Sequence, residues 1–184
     1  MSAADKILDT ALQLAAKTGW EQLTLQQIAI AMKIHLADIY QHYRTKDDLV
    51  DAWFDRADVA MLSAQISRAL PAKARLQQAI QHWLVALSPY HKLTGQMLLY
   101  KLEPGHIHLQ LGGILRISRT VQWLREAASL TACGAARVGQ ELALSSLFVA
   151  VFIYWLNDSS PGQQRSLALL SRMLQQGHNL ALWR

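Results

Sequence analysis

The chain has 184 residues, which suits one domain of ordinary size or a small domain joined to a larger one. Hydrophobic residues make up 52% of it and charged residues 17%, a composition that excludes an intrinsically disordered chain. The net charge is +5, but residues 1–50 carry five basic and six acidic side chains, a balance of −1, so the positive excess lies in the remainder.

Three further features exclude other classes of protein. The longest uncharged apolar stretch, between Glu141 and Asp158, has sixteen residues and is shorter than the roughly 18 to 20 that cross a bilayer. The N-terminus has no basic region before an apolar run, so it does not resemble a secretory signal. A single cysteine, Cys133, excludes an internal disulfide and a cysteine-rich zinc site. We therefore expect a cytoplasmic protein without a membrane span.

The first seventy residues predict four helices. The first has apolar residues at three-to-four spacing and ends at Gly19. The second begins at Thr24, because Thr24 and Gln27 match a capping box, and reaches about residue 32. After a three-residue turn, a third helix is predicted over 36–43 and a fourth over about 45–67.

Prolines and glycines divide the rest of the chain into further helices. Proline lacks the amide hydrogen that a continuing helix needs, so Pro71, Pro89 and Pro161 mark boundaries. The predicted helices span residues 72–88, 90–102, 107–129, 135–157 and 161–182. No segment alternates apolar and polar residues as a strand does. We therefore predict an all-α fold of about nine helices, in which an N-terminal three-helix domain (1–50) precedes a C-terminal helical bundle (51–184).

The second and third helices, with the turn between them, form a helix-turn-helix, a unit that places its second helix in the major groove of DNA. Around it, hydrophobic, turn and aromatic residues follow one another in a characteristic order over residues 7–12, 18–20, 24–29, 39–43 and 46–49. Over about residues 5 to 55, this string resembles the N-terminal domain of the tetracycline-repressor (TetR) family of transcriptional regulators. The rest of the chain is similar to the family only in being helical and of the usual length.

The resemblance implies a set of contacts to the DNA backbone. Thr24 would cap the second helix beside a phosphate, with simple capping as an equal alternative. Lys46, at the start of the fourth helix, would bind a phosphate, and Lys33 would add a local positive charge. Tyr40 and His42 would face the backbone or the groove, because hydroxyl and imidazole groups donate hydrogen bonds to phosphate oxygens.

Within the third helix, Ala37 and Gln41 are the expected base readers. Alanine offers a methyl contact to thymine, and glutamine offers a bidentate edge to adenine. His35, where the helix is capped, completes the predicted DNA-contacting set. Four residues depart from the family pattern. Lys33 takes the place of the usual turn glycine, and His35 takes that of a small hydroxyl residue at the cap. Leu36 is apolar where DNA readers are generally polar, and Asp38 brings a negative charge near the phosphates. Tyr43 is expected to pack in the core.

The C-terminal part is rich in aromatic residues, and in the TetR family this part binds a ligand and forms the dimer. An aromatic-lined cavity suits a small lipophilic effector, although packing in the core is the alternative for most of these side chains. The lining candidates are Trp83, Tyr100, Trp123 and Phe152. Arg116, Arg119 and Arg125 lie on one predicted helix, where a solvated face is preferred over a site for an anionic effector.

The last two predicted helices are expected to form a two-fold homodimer. The 135–157 helix is apolar around nearly its whole circumference, more than the core of one chain can cover. The predicted interface residues are Leu147, Val151, Phe152, Leu170, Met173 and Leu174. Such a dimer reads a palindromic operator in double-stranded DNA, because the two-fold axis presents two recognition helices.

The sequence contains no recognisable catalytic motif, neither a glycine-rich phosphate loop nor a nucleophile elbow. His106 and His108, with Glu103 as the only nearby acid, are interpreted as surface residues rather than metal ligands. We therefore expect no enzyme activity, no cofactor and no metal. The sequence favours a ligand-responsive transcriptional repressor. The alternative is a lipid- or isoprenoid-binding accessory protein on the same fold that has lost DNA binding.

Overall fold

A computed structural model describes residues 2–101 and 107–183, with the backbone alone for 107–115, so that His106 and Glu103 lie outside the described residues. The described residues contain helices and no strand, which confirms the all-α prediction. The helices are α1 (Ala3–Thr18), α2 (Leu25–Met32), α3 (Leu36–Tyr40), α4 (Lys46–Leu62), α5 (Ala72–Leu87), α6 (His91–Lys101), α7 (Ile107–Ala127), α8 (Gly134–Leu156) and α9 (Gln164–Asn179). Short 3₁₀ turns occupy Ser88–Tyr90 and Pro161–Gln163.

Side-chain caps begin the first two helices. Before α1, the Ser2 hydroxyl accepts a hydrogen bond from the Asp5 amide at 3.1 Å, and the Asp5 carboxylate accepts one from the Ser2 amide at 2.9 Å. Before α2, Thr24 and Gln27 form the same reciprocal pair at 3.2 and 2.9 Å, which confirms the predicted capping box. Each pair satisfies amides that have no partner in the first helical turn.

Helices α3 and α4 end earlier than the sequence predicts. α3 stops at Tyr40 rather than at residue 43, because Tyr43 turns inward and its hydroxyl donates a hydrogen bond to the Ala4 carbonyl oxygen at 3.1 Å. Tyr43 is buried, so its predicted packing role is confirmed. α4 stops at Leu62, after which the Ala64 amide bonds a carbonyl three residues back instead of continuing the α-helical pattern.

The N-terminal helices form a compact unit that also contains α6. This unit comprises Met1–Arg56 and Leu87–Gln110. Its core includes the buried side chains Ile7, Leu12, Trp20, Ile28, Ile39 and Leu49. Two polar contacts join α6 to this core. The Gln96 side-chain oxygen accepts a hydrogen bond from the Trp20 amide at 2.8 Å, and Trp53 Nε1 donates to Thr94 Oγ1 at 3.0 Å.

The second compact unit comprises Ala57–Ala86 and Leu111–Arg184, and within it α8 packs on α9. A polar cluster lies inside this unit. The buried Asp58 carboxylate accepts hydrogen bonds from Trp83 Nε1 at 2.8 Å, from Thr120 Oγ1 at 3.0 Å and from Arg116 Nη2 at 2.8 Å. A buried charge is tolerated only with partners of this kind, because it has lost its hydration.

The arginines of α7 do not form the solvated face that the sequence suggests. Arg116 is buried against Asp58, and Arg125 is buried while it donates hydrogen bonds to Gln140 Oε1 and Glu141 Oε1, each at 3.0 Å. Periodicity places these arginines on one helix, but it does not indicate that acceptors on other helices hold two of them inside. The prediction of a solvated face is therefore wrong for Arg116 and Arg125.

Helix α8 is the one described helix whose length and apolar composition suit a membrane crossing. Its most apolar 18-residue window has a mean hydropathy of 1.5 and is 39% buried within the chain. The sixteen uncharged residues counted in the sequence begin after Glu141, whereas any 18-residue window of α8 includes Glu141. Core helices of globular proteins have the same length and composition, so the finding is weak evidence for a span.

The end of the chain folds back on α9. This helix ends at Asn179 rather than at residue 182, because Trp183 turns toward it, is 6% exposed and donates a hydrogen bond from Nε1 to the Leu174 carbonyl oxygen at 2.8 Å. Gly177 makes the close approach possible, since a Cβ at this position would overlap the Trp183 indole. The absence of a side chain at Gly177 therefore allows Trp183 to pack against α9.

Asp158 joins the end of α8 to the start of α9. Its buried carboxylate accepts hydrogen bonds from the amide and hydroxyl of Ser160 at 2.9 and 2.6 Å, and from those of Ser166 at 2.8 and 2.6 Å. Burial by itself raises the pKa of this carboxyl, but the four hydrogen bonds outweigh burial and hold the pKa well below its usual range.

We expect the Asp158→Ala variant to lose roughly 2–3 kcal/mol of unfolding free energy at pH 7, because four donors lose a charged acceptor. Since the folded pKa lies below the unfolded value of about 3.9, this contribution is complete above that value and falls as the pH drops below it. Urea denaturation at pH 7 and pH 3 measures both effects, with the exposed neighbour Ser159→Ala as the control. If the loss of unfolding free energy in Asp158→Ala is as large at pH 3 as at pH 7, the hydrogen-bonded carboxylate is not the source of the stabilisation.

Candidate nucleic-acid interface

The turn between α2 and α3 closes without a glycine. Lys33 ends α2 with a φ of 56°, in the left-handed region that favours glycine. The next amide, that of Ile34, bonds to the Ala29 carbonyl oxygen at 3.1 Å and holds the turn. The Lys33 side chain is exposed. A positive charge therefore lies at the edge of the helix-turn-helix.

Helix α3 presents one face to solvent and one to the core. Ile39 is completely buried, whereas Leu36, Ala37, Tyr40 and Gln41 are exposed. At 3.6 residues per turn, Ala37 and Gln41 lie on the side of α3 opposite Ile39, and Leu36 and Tyr40 lie between that side and the buried one. The predicted base readers Ala37 and Gln41 are thus brought together on a surface that a ligand can reach.

Asp38 is engaged at the start of α3. Its carboxylate accepts a hydrogen bond from the His35 amide at 2.8 Å, where a negative charge also offsets the positive end of the helix dipole. His35 is exposed, and Asp38 is half-buried. Asp38, although it departs from the family pattern, therefore caps the start of α3.

Most other acids of residues 1–50 are also engaged within the fold. The carboxylates of Asp5 and Asp48 cap the starts of α1 and α4. Asp9 and Asp47 form ion pairs with basic side chains that lie outside residues 1–50, at 2.6 and 3.1 Å. Together with Asp38, five of the six acids in this segment have such a role. The balance of −1 therefore overstates the negative charge that a ligand of the helix-turn-helix meets.

The predicted backbone contacts Tyr40, His42 and Thr24 are all exposed, and the Thr24 hydroxyl also caps α2. A further cation accompanies them, because the Arg44 guanidinium lies 5.4 Å from the Tyr40 ring centroid. The sequence predicts Arg44 only as a local positive charge, together with Lys33 and Lys46, and assigns it no contact to DNA. Its position four residues after an exposed tyrosine is the signal that points to it.

Lys46 is held against two aromatic rings. Its Nζ donates a hydrogen bond to the Glu21 carbonyl oxygen at 3.1 Å and lies 5.2 Å from the Trp20 ring centroid and 5.1 Å from that of Tyr100. The ammonium group has three N–H donors, and the Glu21 oxygen accepts one. The contact also places Tyr100, an effector candidate in the sequence, beside Lys46 in the first compact unit.

The four effector candidates do not form one cluster. Trp83 is buried and packs edge-to-face against Phe148 and Phe152, with ring centroids 4.9 and 5.1 Å apart. Trp123 is 44% exposed on α7, and Tyr100 belongs to the other compact unit. Only Trp83 and Phe152 of the four are therefore in contact with each other among the described side chains.

The predicted dimer residues are mostly buried inside their own chain. Four of the six are at most 3% exposed, namely Leu147, Val151, Leu170 and Leu174. The other two, Phe152 and Met173, are half-buried. The exposed apolar side chains of α8 are Val138, Leu142, Ile153 and Tyr154, which the sequence did not single out because the whole helix is apolar. A second chain can contact these residues, whereas the three buried leucines and the buried valine are covered by their own fold.

Comparison with known proteins extends the likeness beyond the N-terminal helices. Residues 7–53 match the family model of the bacterial regulatory proteins of the tetR family. The whole chain is similar to a TetR transcriptional regulator from Nitrosomonas europaea of known crystal structure. The identity is 38%, the match covers 97% of this chain and 99% of that one, and the TM-score is 0.84.

Two more distant matches are also described as transcriptional regulators. A TetR transcriptional regulator from a Rhodococcus species is 15% identical, with coverage of 93% and 92% and a TM-score of 0.70, which shows the shared fold alone. An HTH-type transcriptional regulator from Saccharopolyspora erythraea is 26% identical over 129 residues, 61% of this chain. The match spans about half of that relative, 51% of its length.

We expect the Asp38→Ala variant to lose about 1 kcal/mol of unfolding free energy, because the His35 amide at the start of α3 loses its partner. Thermal or urea denaturation followed by circular dichroism measures the loss. Glu21→Ala removes the same charge from an exposed position and is the control. Equal losses in the two variants would mean that charge, and not capping, is responsible.

Proposed function

The chain belongs to the TetR family of bacterial regulatory proteins, and from this premise we propose that it is a ligand-responsive transcriptional repressor that binds DNA as a homodimer. The observation that carries the proposal is the two-sided character of α3. Its inner side is fixed by Ile39, and its outer side is exposed. A recognition helix needs this combination, because it has to be rigid while its outer side chains reach base edges.

The proposed functions divide along the chain. DNA binding is assigned to residues 1–50, and effector binding and dimerisation are assigned to residues 51–184. Ala37 and Gln41 would read bases, and the remaining contacts would position the helix on the backbone. These remaining contacts are Thr24, Lys33, His35, Tyr40, His42 and Lys46. The engagement of neighbouring acids in caps and ion pairs supports this assignment, since phosphate binding depends on the local positive charge.

Dimerisation is assigned to α8 and α9. Val138, Leu142 and Ile153 are exposed at intervals of four and eleven residues, which places them on one side of α8. Phe152 and Met173 are the members of the predicted set that keep some exposed surface. An apolar stripe of this kind favours association, and a two-fold axis would place the same stripe of a second copy against it. The dimer would then read a palindromic operator in double-stranded DNA.

The effector is assigned to the second compact unit, beside the aromatic cluster of Trp83, Phe148 and Phe152. Aromatic linings of this kind suit a small lipophilic molecule. Trp83 Nε1 also donates a hydrogen bond to the buried Asp58 carboxylate. A rearrangement of the aromatic cluster would therefore also alter the hydrogen bonds of Asp58. An effector alters DNA binding only by preferring one arrangement of the protein over another.

The proposed site of action is the bacterial cytoplasm, where the DNA is. Selection of bound sequences from random duplex DNA tests the proposed function. A homodimeric regulator enriches a palindrome whose half-sites lie about 34–36 Å apart, or a multiple of that distance. Failure to enrich any sequence, with a protein that circular dichroism shows to be folded, would contradict DNA binding. That outcome would favour a lipid- or isoprenoid-binding accessory protein instead.

We expect Lys46→Ala to weaken binding to every DNA sequence, because one phosphate contact is lost. For the same reason, the slope of the logarithm of the binding constant against the logarithm of the salt concentration should become about one unit less steep. Lys17→Ala removes the same charge from an exposed position of α1 and should change neither quantity. Gln41→Ala should instead change which sequence is preferred. Anisotropy titrations at several salt concentrations measure these effects, and melting curves show that the variants fold. Equal salt dependence in the two lysine variants would place the phosphate contact elsewhere.

We expect the wild-type protein to sediment at twice the 20.6 kDa of one chain at micromolar concentration, and Leu142→Glu to sediment as a monomer. Leu142 is 66% exposed, so the glutamate is compatible with the folded chain but places a charge in the apolar contact. Leu99→Glu, at a leucine of α6 that is 69% exposed, is the matched control and should remain dimeric. A monomeric wild type, or a dimeric Leu142→Glu variant, would contradict the proposed interface.

A further inference from the structure

The outer face of α3 is unusually apolar for a surface that meets DNA. Leu36 is 46% exposed and Tyr40 is 57% exposed, and these two residues, four apart, are neighbours on the helix surface beside the exposed Ala37. Residues 36–41 contain no lysine or arginine. Their one acid, Asp38, is engaged with the His35 amide. Gln41 is therefore the one side chain on this face with a bidentate hydrogen-bonding edge.

We propose that Leu36 and Ala37 read the C5 methyl groups of thymine, so that the operator half-site has A·T base pairs beneath the start of α3. The inference rests on the proposed function, that is, on DNA binding through α3. It goes further by naming the class of sequence that is bound and by assigning Leu36 as a specificity-determining residue.

The chemistry of the major groove supports this assignment. The thymine methyl is the apolar group that the base edges present there, whereas a G·C pair presents two acceptors and an amino donor. Against Leu36, those polar groups would lose water without gaining a hydrogen bond, which penalises G·C at this position. A thymine methyl gains affinity by the same burial, about three- to fivefold for one methyl group.

The residues around this face are consistent with an A·T-rich groove. Gln41 can bind the N6 and N7 edge of adenine, the partner of thymine. Guanine is most often read by arginine or lysine, and the nearest ones border the face rather than stand on it. Lys33 ends α2 before the face, and the Arg44 guanidinium lies over the Tyr40 ring after it. An apolar centre with cationic borders is complementary to thymine methyl groups between two phosphate backbones.

Substitution of deoxyuridine for thymidine tests the inference, because the two nucleosides differ by the methyl group alone. The probe is the duplex enriched from random DNA, compared with copies in which each half-site dT is replaced by dU. We expect at least one replacement to lower the affinity of the wild-type protein about three- to fivefold. In Leu36→Ala, the same replacement should have less than about a twofold effect. Leu99→Ala, an exposed leucine of α6, should keep the wild-type response.

A second measurement adds the methyl group instead of removing it. Replacement of the sensitive T·A pair by C·G should weaken binding, and 5-methylcytosine at that position should restore part of the affinity in wild type but not in Leu36→Ala. A half-site without A·T pairs, or an enriched half-site that is insensitive to dU, overturns the inference while DNA binding stands. A dU effect that persists unchanged in Leu36→Ala overturns the role of Leu36. If no duplex is enriched at all, both the proposed function and this inference fail.

Discussion

A helix of five residues does not persist in water on its own, so the outer surface of α3 depends on how the rest of the unit holds this helix. Ile39 is enclosed by the core on the inner side, Asp38 caps the start, and Tyr43 binds the backbone of α1 just beyond the end. These contacts use the inner side and both ends. The side chains of the outer residues remain exposed, which leaves them available for base pairs.

The same constraint arranges the charges of the N-terminal helices. Helices need their first amides satisfied, and carboxylates do this well because they also interact favourably with the helix dipole. Asp5, Asp38 and Asp48 act in this way, and Asp9 and Asp47 are held in ion pairs. A segment with a net charge of −1 can thus keep its acids engaged while the side chains of Lys33 and Arg44 are exposed around α3.

The second unit has a different constraint, because α8 is too apolar for one buried face. Its inner side is covered by its own chain, and Leu144 and Val151 are completely buried there. Its outer side keeps Leu142 and Ile153 exposed. One group of buried polar side chains, those of Trp83, Arg116 and Thr120, is held inside this unit by hydrogen bonds to Asp58. The exposed apolar residues of α8 therefore form the surface that is available for association in the proposed dimer.

The sequence by itself determined the helices and the helix-turn-helix, because caps, prolines and three-to-four periodicity act between residues that are close along the chain. The resemblance to the family came from the order of hydrophobic, turn and aromatic residues over about residues 5 to 55. The tertiary structure alone decided where α3 and α9 end, since these ends follow the inward turns of Tyr43 and Trp183. It also decided that Arg116 is buried and that Leu170 faces its own core. Periodicity marks a side of a helix as apolar or charged, but burial depends on which distant residues pack against that side.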